Sequence, residues 1–268
     1  MADGIVEWNR AVAAALEAIG SAAFPRRLGE CLGAVARFDI LMVFAYRDAG
    51  RPVCLHHNID PARAAVVIDD YTKGPYLLDP FYSAATSGAR TGVIRLKDLA
   101  PDLFYGTEYF KRHYARTDIR DEVGFLVRPA PAVAVVVSVT RAMTESTFST
   151  RDMRMLRAAE PVIGGLAARH WRTLAPSPAP AAERNGYNLM ETALEDMAGG
   201  VLTAREVEIT ALILRGHSNA SMADRLQIAE GTVKIHRKHI YQKLQAKGQA
   251  DLFSRFIGHL ASARPDPA

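Results

Sequence analysis

Two groups of side chains in this sequence have types and spacing suited to chemistry. Lys234, Lys238 and Gln242, with Ile235 beside them, recur every four residues in TVKIHRKHIYQKL. That period sets them on one outward helix face while Val233, Ile240 and Leu244 face inward. Ammonium and amide donors in such a row meet the acceptors of a polyanion, either phosphate oxygens or the O6 and N7 of guanine. The second group is aromatic and acidic. Six of the nine tyrosines, Tyr71, Tyr76, Tyr82, Tyr105, Tyr109 and Tyr114, lie close together with Phe81, Phe104 and Phe110 among them. Asp79, Asp118, Asp121 and Glu122 are interspersed or follow directly. Aromatic walls with a few carboxylates suit a small cationic or amine ligand, through cation–π attraction and charge pairing. Tyr71, Tyr76, Asp79, Tyr82, Phe110 and Tyr114 are the candidate contacts. Core packing produces the same helical spacing of Tyr105, Tyr109 and Phe110, so the pattern fits either use.

The basic row needs helices to hold it, and the sequence supplies them. Thr203 and Glu206 form a T-x-x-E capping box. Val207, Ala211 and Leu214 then follow on one stripe, and Gly216 stands where a helix ends in a left-handed residue. Ser218 caps a second short helix whose apolar face is Met222, Ala223 and Leu226. A turn over 227–231 leads into the basic helix. Residues 202–260 carry nine Lys/Arg against five Asp/Glu, so the net charge of +4 resides here. Clustered positive charge on a helix-turn-helix pattern is the electrostatic footprint of phosphate binding.

This segment resembles the LuxR-type helix-turn-helix, also found in NarL-like regulators. The matching positions include Leu202, Thr203, Arg205, Glu206, Gly216, Ser218, Asn219, Ala223, Leu226, Ile228, Thr232, Val233, Lys234, His236, Ile240, Lys243 and Leu244. The resemblance implies a DNA-binding transcription regulator. Lys234, Ile235 and Lys238 would contact base edges, and Thr232 and His236 would lie against phosphates. It also implies a homodimer on a two-fold symmetric double-stranded operator, with RNA polymerase as a further partner. Two positions depart from the pattern. Ala229 replaces a Ser or Thr cap, at a cost on the order of 1 kcal/mol of helix stability. Gln249 stands where Arg is common, which removes a phosphate contact. The last helix, about 249–260, carries Leu252, Phe253, Phe256, Ile257 and Leu260 for core packing, a dimer seam, or both.

At 268 residues the chain suggests two domains. A Pro/Ala-rich stretch at 173–186, TLAPSPAPAAERNG, reads as a linker between a sensory domain (1–172) and a DNA-binding domain (187–262). No apolar run is long enough to cross a membrane and no signal peptide is visible, so a cytoplasmic protein is expected. Cys31 and Cys54 imply no disulfide framework and read as ordinary thiols. His56 and His57 point to opposite faces of a strand and do not suggest a metal site. No catalytic or nucleotide-binding motif occurs, and neither a metal nor a cofactor is expected.

Helical periods cover 5–19, 28–38, 62–72 and 149–171, and strand-like runs cover 40–46, 52–57, 92–95, 122–128 and 133–141. The fold class is therefore α+β: an antiparallel sheet flanked by helices, an α/β/α sensory sandwich, followed by a four-helix DNA-binding domain. The sandwich resembles GAF and PAS sensory modules and the acyl-homoserine-lactone domain of quorum-sensing LuxR proteins. Asp79-Pro80 matches the last of these, but Asp70 and Val66 stand where its Tyr and Trp belong, with Tyr71 one residue off. A phosphoreceiver domain is excluded by element order, since Asp69-Asp70 falls within a helix. Two functions stay open. In one, the sensory domain binds a small-molecule effector, amine or amino-acid-like rather than a lactone. In the other it is a ligand-independent dimerisation or docking module.

Overall fold

The computed structural model describes residues 2–47, 50–174 and 186–263. Most of the expected linker (175–185) and part of the turn at 48–50 lie outside them. Strands β1 (Ile40–Arg47), β2 (Val53–His57), β3 (Gly92–Arg95), β4 (Asp121–Ala130) and β5 (Val133–Arg141) form one antiparallel sheet in the order β2-β1-β5-β4-β3. Its long central strands are almost wholly buried, so both faces must be covered. On β1, Leu41, Val43 and Ala45 join a core with α1 (Ala2–Glu17), α2 (Phe24–Gly33) and α7 (Thr150–His170). Met42, Phe44 and Tyr46 point the other way, into the tyrosine-rich layer.

That second layer is where the sequence was least legible. The expected helix over 62–72 is α3 (Pro61–Ala64), a π-helical turn (Ala65–Asp69) and α4 (Asp70–Thr72). A 3₁₀ turn (Pro75–Leu78), α5 (Pro80–Thr86) and α6 (Leu96–Leu99) follow, and a second π-helical turn spans Phe110–Ala115. Proline at the first positions starts both the 3₁₀ turn and α5. Proline also starts α2 earlier than the expected 28–38.

Among the described residues, one further helix precedes the four expected in the C-terminal region. The extra one, α8 (Gly186–Ala198), buries Met190 and Leu194 beneath α9 (Ala204–Arg215). Then come α10 (Asn219–Leu226), α11 (Glu230–Lys243) and α12 (Gln249–Ala263). Thr203 and Glu206 close the expected capping box, and Gly216 ends α9 in the left-handed region at φ 94°. Ser218 caps α10, whereas Ala229 gives α11 no side-chain cap.

The C-terminal helices pack on the N-terminal domain. The Leu103 N–H donates to the Gly216 carbonyl at 2.9 Å, and Asp102 accepts from the Ser218 N–H at 2.9 Å. Leu260 fits over Gly74, and the Arg112 guanidinium lies 5.3 Å from the Phe253 ring centre. Two residues offered by sequence as a dimer seam are thus in contact with the chain's own sensory domain.

Candidate ligand site and nucleic-acid interface

The tyrosine-rich layer holds a connected polar core. Alternation along β1 turns Tyr46 inward, where its hydroxyl meets that of Tyr71 at 3.0 Å. Tyr71 donates to Asp79 Oδ2 at 2.6 Å, while Asp79 Oδ1 accepts the Phe81 N–H at 2.8 Å and so caps α5. Opposite, Tyr114 on the second π-helical turn donates to Glu122 Oε2 at 3.0 Å. These groups surround a cavity of about 20 Å³, lined also by Met42, His113 and Ser138. That is room for about one water. The Tyr109 hydroxyl is buried with no hydrogen-bond partner among the described residues.

Two carboxylates in so dry a place do not ionise normally. Burial, partly offset by the Tyr71 and Phe81 donors, lifts Asp79 to about 6. Burial, then the charge of Asp79, lifts Glu122 to about 8. Burial also lowers His113 to about 4, so its ring is neutral near pH 7. That ring stacks on Tyr71 and Tyr109, at 5.3 and 5.4 Å between centres. It separates the cavity from an outer groove of about 280 Å³ that Phe253, Ile257 and Leu260 of α12 help to line.

Of the candidate contacts, Tyr71, Asp79 and Tyr114 line this cavity. Tyr76 and Tyr82 do not line it; their rings meet edge to face with centres 4.9 Å apart. Phe110 does not reach it; the ring packs on Phe104, Tyr105 and Tyr114. Asp121 and Asp118 also turn out to be structural. Asp121 holds Arg95 in a buried ion pair, and Asp118 accepts the Met143 N–H. Sequence reasoning missed Tyr46 and His113. The alternation Met42, Phe44, Tyr46 was the available signal for the first, and the four-residue step from Tyr109 for the second.

On the DNA-binding head, Thr232, Lys234, Ile235 and Lys238 are exposed on α11, and His236 is half-buried. Ile235 is 57% exposed, an isolated apolar side chain on a basic helix. Lys234 pairs with Glu230 at 3.0 Å. Asn219 accepts from Arg237 at 3.1 Å, tying α10 to the middle of α11. Lys243 reaches Glu206 at 2.7 Å, fixing the end of α11 to the start of α9. Burial alone would raise the Glu206 carboxyl, but Lys243 and the Thr203 donors bring it down to about 2. Gln249, where a phosphate-binding Arg was absent, donates instead to the Ile213 carbonyl.

Residues 200–256 match the family described as "GerE: Bacterial regulatory proteins, luxR family". Beyond that segment, the chain is 31% identical over 189 residues to a "Putative HTH-type transcriptional regulator in exeN 3'region" of Aeromonas salmonicida. The match spans 69% of this chain and 96% of that protein. The chain belongs to the LuxR family. It is also 26% identical over 193 residues to the "Monoamine regulon transcriptional regulator" of Klebsiella aerogenes, covering 70% of this chain and 74% of the relative. Among solved structures, the VqsR LBD domain of Pseudomonas aeruginosa matches 63% of this chain and 98% of its own, with TM-score 0.55 and 26% identity. This LuxR-family chain is therefore a transcription regulator, not an enzyme, with an N-terminal ligand-binding domain of the autoinducer-binding type and a C-terminal helix-turn-helix.

Among the described residues no group of three His, Cys, Asp or Glu is placed to hold a metal, and no helix is long and apolar enough to cross a membrane. Cys31 and Cys54 are both free. Burial pushes each thiol up to about 11, which suppresses the reactive thiolate.

Proposed function

We propose that this LuxR-family regulator is controlled by a small protonated amine bound at the Tyr46–Tyr71–Asp79–Tyr114–Glu122 cluster. The observation that carries the reading is the convergence of two buried carboxylates, both pushed upward, on one cavity walled by aromatic rings. An ammonium placed there balances one carboxylate charge, donates hydrogen bonds to both carboxyl groups and meets ring faces. The name of the Klebsiella aerogenes relative supports the same ligand class. The polar interior argues against the rival reading of a docking module, which would want a dry, apolar core.

The cavity of about 20 Å³ is smaller than any amine beyond ammonium itself, so binding requires it to open. His113 lines both the cavity and the outer groove, so its displacement would join them. In the proposed cycle the sensory domain (1–172), joined through the linker (173–186), governs the head (187–262). A cytoplasmic homodimer presents Lys234, Ile235 and Lys238 to base edges, and Thr232 and His236 to phosphates, of a two-fold symmetric operator. RNA polymerase is its downstream partner.

Titration of the full chain with aromatic and aliphatic amines, followed by thermal unfolding, tests the ligand. Saturable stabilisation of about 2.7 kcal/mol at a hundredfold excess over Kd is expected, and Tyr71→Phe with Asp79→Asn should abolish it. Amines that leave the unfolding curve unmoved, while the chain stays folded and dimeric, would return the domain to the docking-module reading.

A further inference from the structure

A second cavity lies where the two domains meet. It is a cleft of about 270 Å³ with no lining residue in common with the tyrosine cavity. The sensory domain contributes an apolar floor of Leu78, Pro80, Leu99 and Pro101, joined by Leu212 from α9. The rim is basic: Arg215 at the end of α9, His217 beyond it and Arg225 near the end of α10. Ser83 and Ser87 add hydroxyls, and no carboxylate lines the cleft.

Of the nearby acids, Asp102 and Glu208 have other partners, and Glu191 acts on Arg215 from the adjoining recess. Asp102 accepts the Ser218 N–H. Glu191 and Glu208 line an adjoining recess with the two arginines, and Glu208 is itself paired to Arg205 at 2.7 Å. Among the described residues Arg225 has neither a hydrogen bond nor an ion pair, and its side chain is exposed. His217 is neutral and adds no charge. Burial and the two arginines hold it at about 4, and its Nδ1 lies 2.8 Å from the Ser221 hydroxyl.

A guanidinium pair over an apolar floor selects a small anion with an apolar body, because the fork of an arginine matches a carboxylate or phosphate in a bidentate way. The volume lies just under the ~300 Å³ at which drug-sized sites begin. We propose that this interdomain cleft binds a small aromatic anion, carboxylate or phosphate ester, held by Arg225 and Arg215 above the Leu78–Leu99–Leu212 floor. The occupant touches both domains, so it binds the docked arrangement better than the undocked one and biases the head toward it. This site is independent of the amine proposed for the tyrosine cavity.

Calorimetric titration of the full chain with benzoate, and separately with phenyl phosphate, tests the assignment. Saturable one-site binding of at least one anion is expected, and the stronger of the two identifies the headgroup. Arg225→Glu should weaken it at least tenfold, Arg225→Lys less, and Ser87→Trp should abolish it by filling the cleft. Both positions are exposed, and the unfolding midpoint of each variant establishes that it folds. Tyr71→Phe should leave anion binding unchanged. No binding to the wild type, equal binding to Arg225→Glu and Ser87→Trp, or loss in Tyr71→Phe would each overturn the proposal. Failure of the amine titration leaves it standing.

Discussion

Glu122→Gln isolates the least comfortable charge in the protein. In the ligand-free chain Glu122 ionises at about 8, because burial and then the charge of Asp79 oppose its ionisation. An unfolded glutamate ionises near 4.3. A raised carboxyl stabilises the fold fully below the unfolded value, and that contribution disappears as pH rises through the folded one. Between those limits the native state holds one proton more than the unfolded chain, so stability falls by up to about 1.4 kcal/mol per pH unit. From pH 6 to pH 8 the Glu122 share amounts to roughly 2 kcal/mol. Asp79 titrates mostly below that window, at about 6. Glutamine mimics the protonated acid and keeps an acceptor for the Tyr114 hydroxyl, so the variant should match the wild type only below about pH 4, and its advantage should grow by about 2 kcal/mol between pH 6 and pH 8. Urea unfolding followed by circular dichroism at pH 6, 7 and 8 measures this directly. A saturating amine should flatten the wild-type slope, because the ammonium replaces the proton. If wild type and variant lose stability in parallel over the window, Glu122 is ionised in the folded chain and the electrostatic basis of the amine reading fails.

Three further perturbations follow from the geometry. Gly216→Ala puts a methyl 2.9 Å from the Phe104 backbone at a φ of 94°. It should lower stability by at least about 1–2 kcal/mol and speed amide exchange over 101–107; unchanged exchange would place the domain contact elsewhere. Lys243→Met removes the cation from the buried Glu206 (3% exposed). It should cost about 1–3 kcal/mol in thermal unfolding; a neutral result would mean Thr203 alone satisfies that carboxylate. Lys234→Ala should weaken operator binding by about 1–3 kcal/mol and relax sequence preference, read by fluorescence anisotropy. An unaltered isotherm would show that another face of α11 enters the groove.

The DNA-binding head was legible because each of its signals is local. A capping box, a left-handed glycine and a four-residue basic row are written in adjacent residues, and the chain realises all three. The sheet was legible for a similar reason, since short continuous apolar runs rich in β-branched residues mark strands covered on both faces. Residues 61–115 were not. They are built from short α, 3₁₀ and π-helical pieces whose direction is set by packing on the sheet, and no single period survives the changes of pitch. The same irregularity hid His113 and misplaced Phe110: a π-helical turn rotates side chains away from where a 3.6-residue period would put them. Glu122 was distinguishable from Asp121 only once β4 had a register, because alternation sends one to Arg95 and the other to Tyr114.

The second π-helical turn sets Arg112 over Phe253 of α12 and the next residue, His113, against the ligand cavity. One short stretch of backbone therefore touches both the C-terminal helices and the wall of the cavity proposed to take the amine. Thermodynamic reciprocity then applies. If opening the cavity past His113 shifts the head by some free energy, DNA that selects the shifted head must change amine affinity by the same factor. Amine affinity measured on free protein and on operator-bound protein would give two values, and their ratio is the regulatory strength of the molecule.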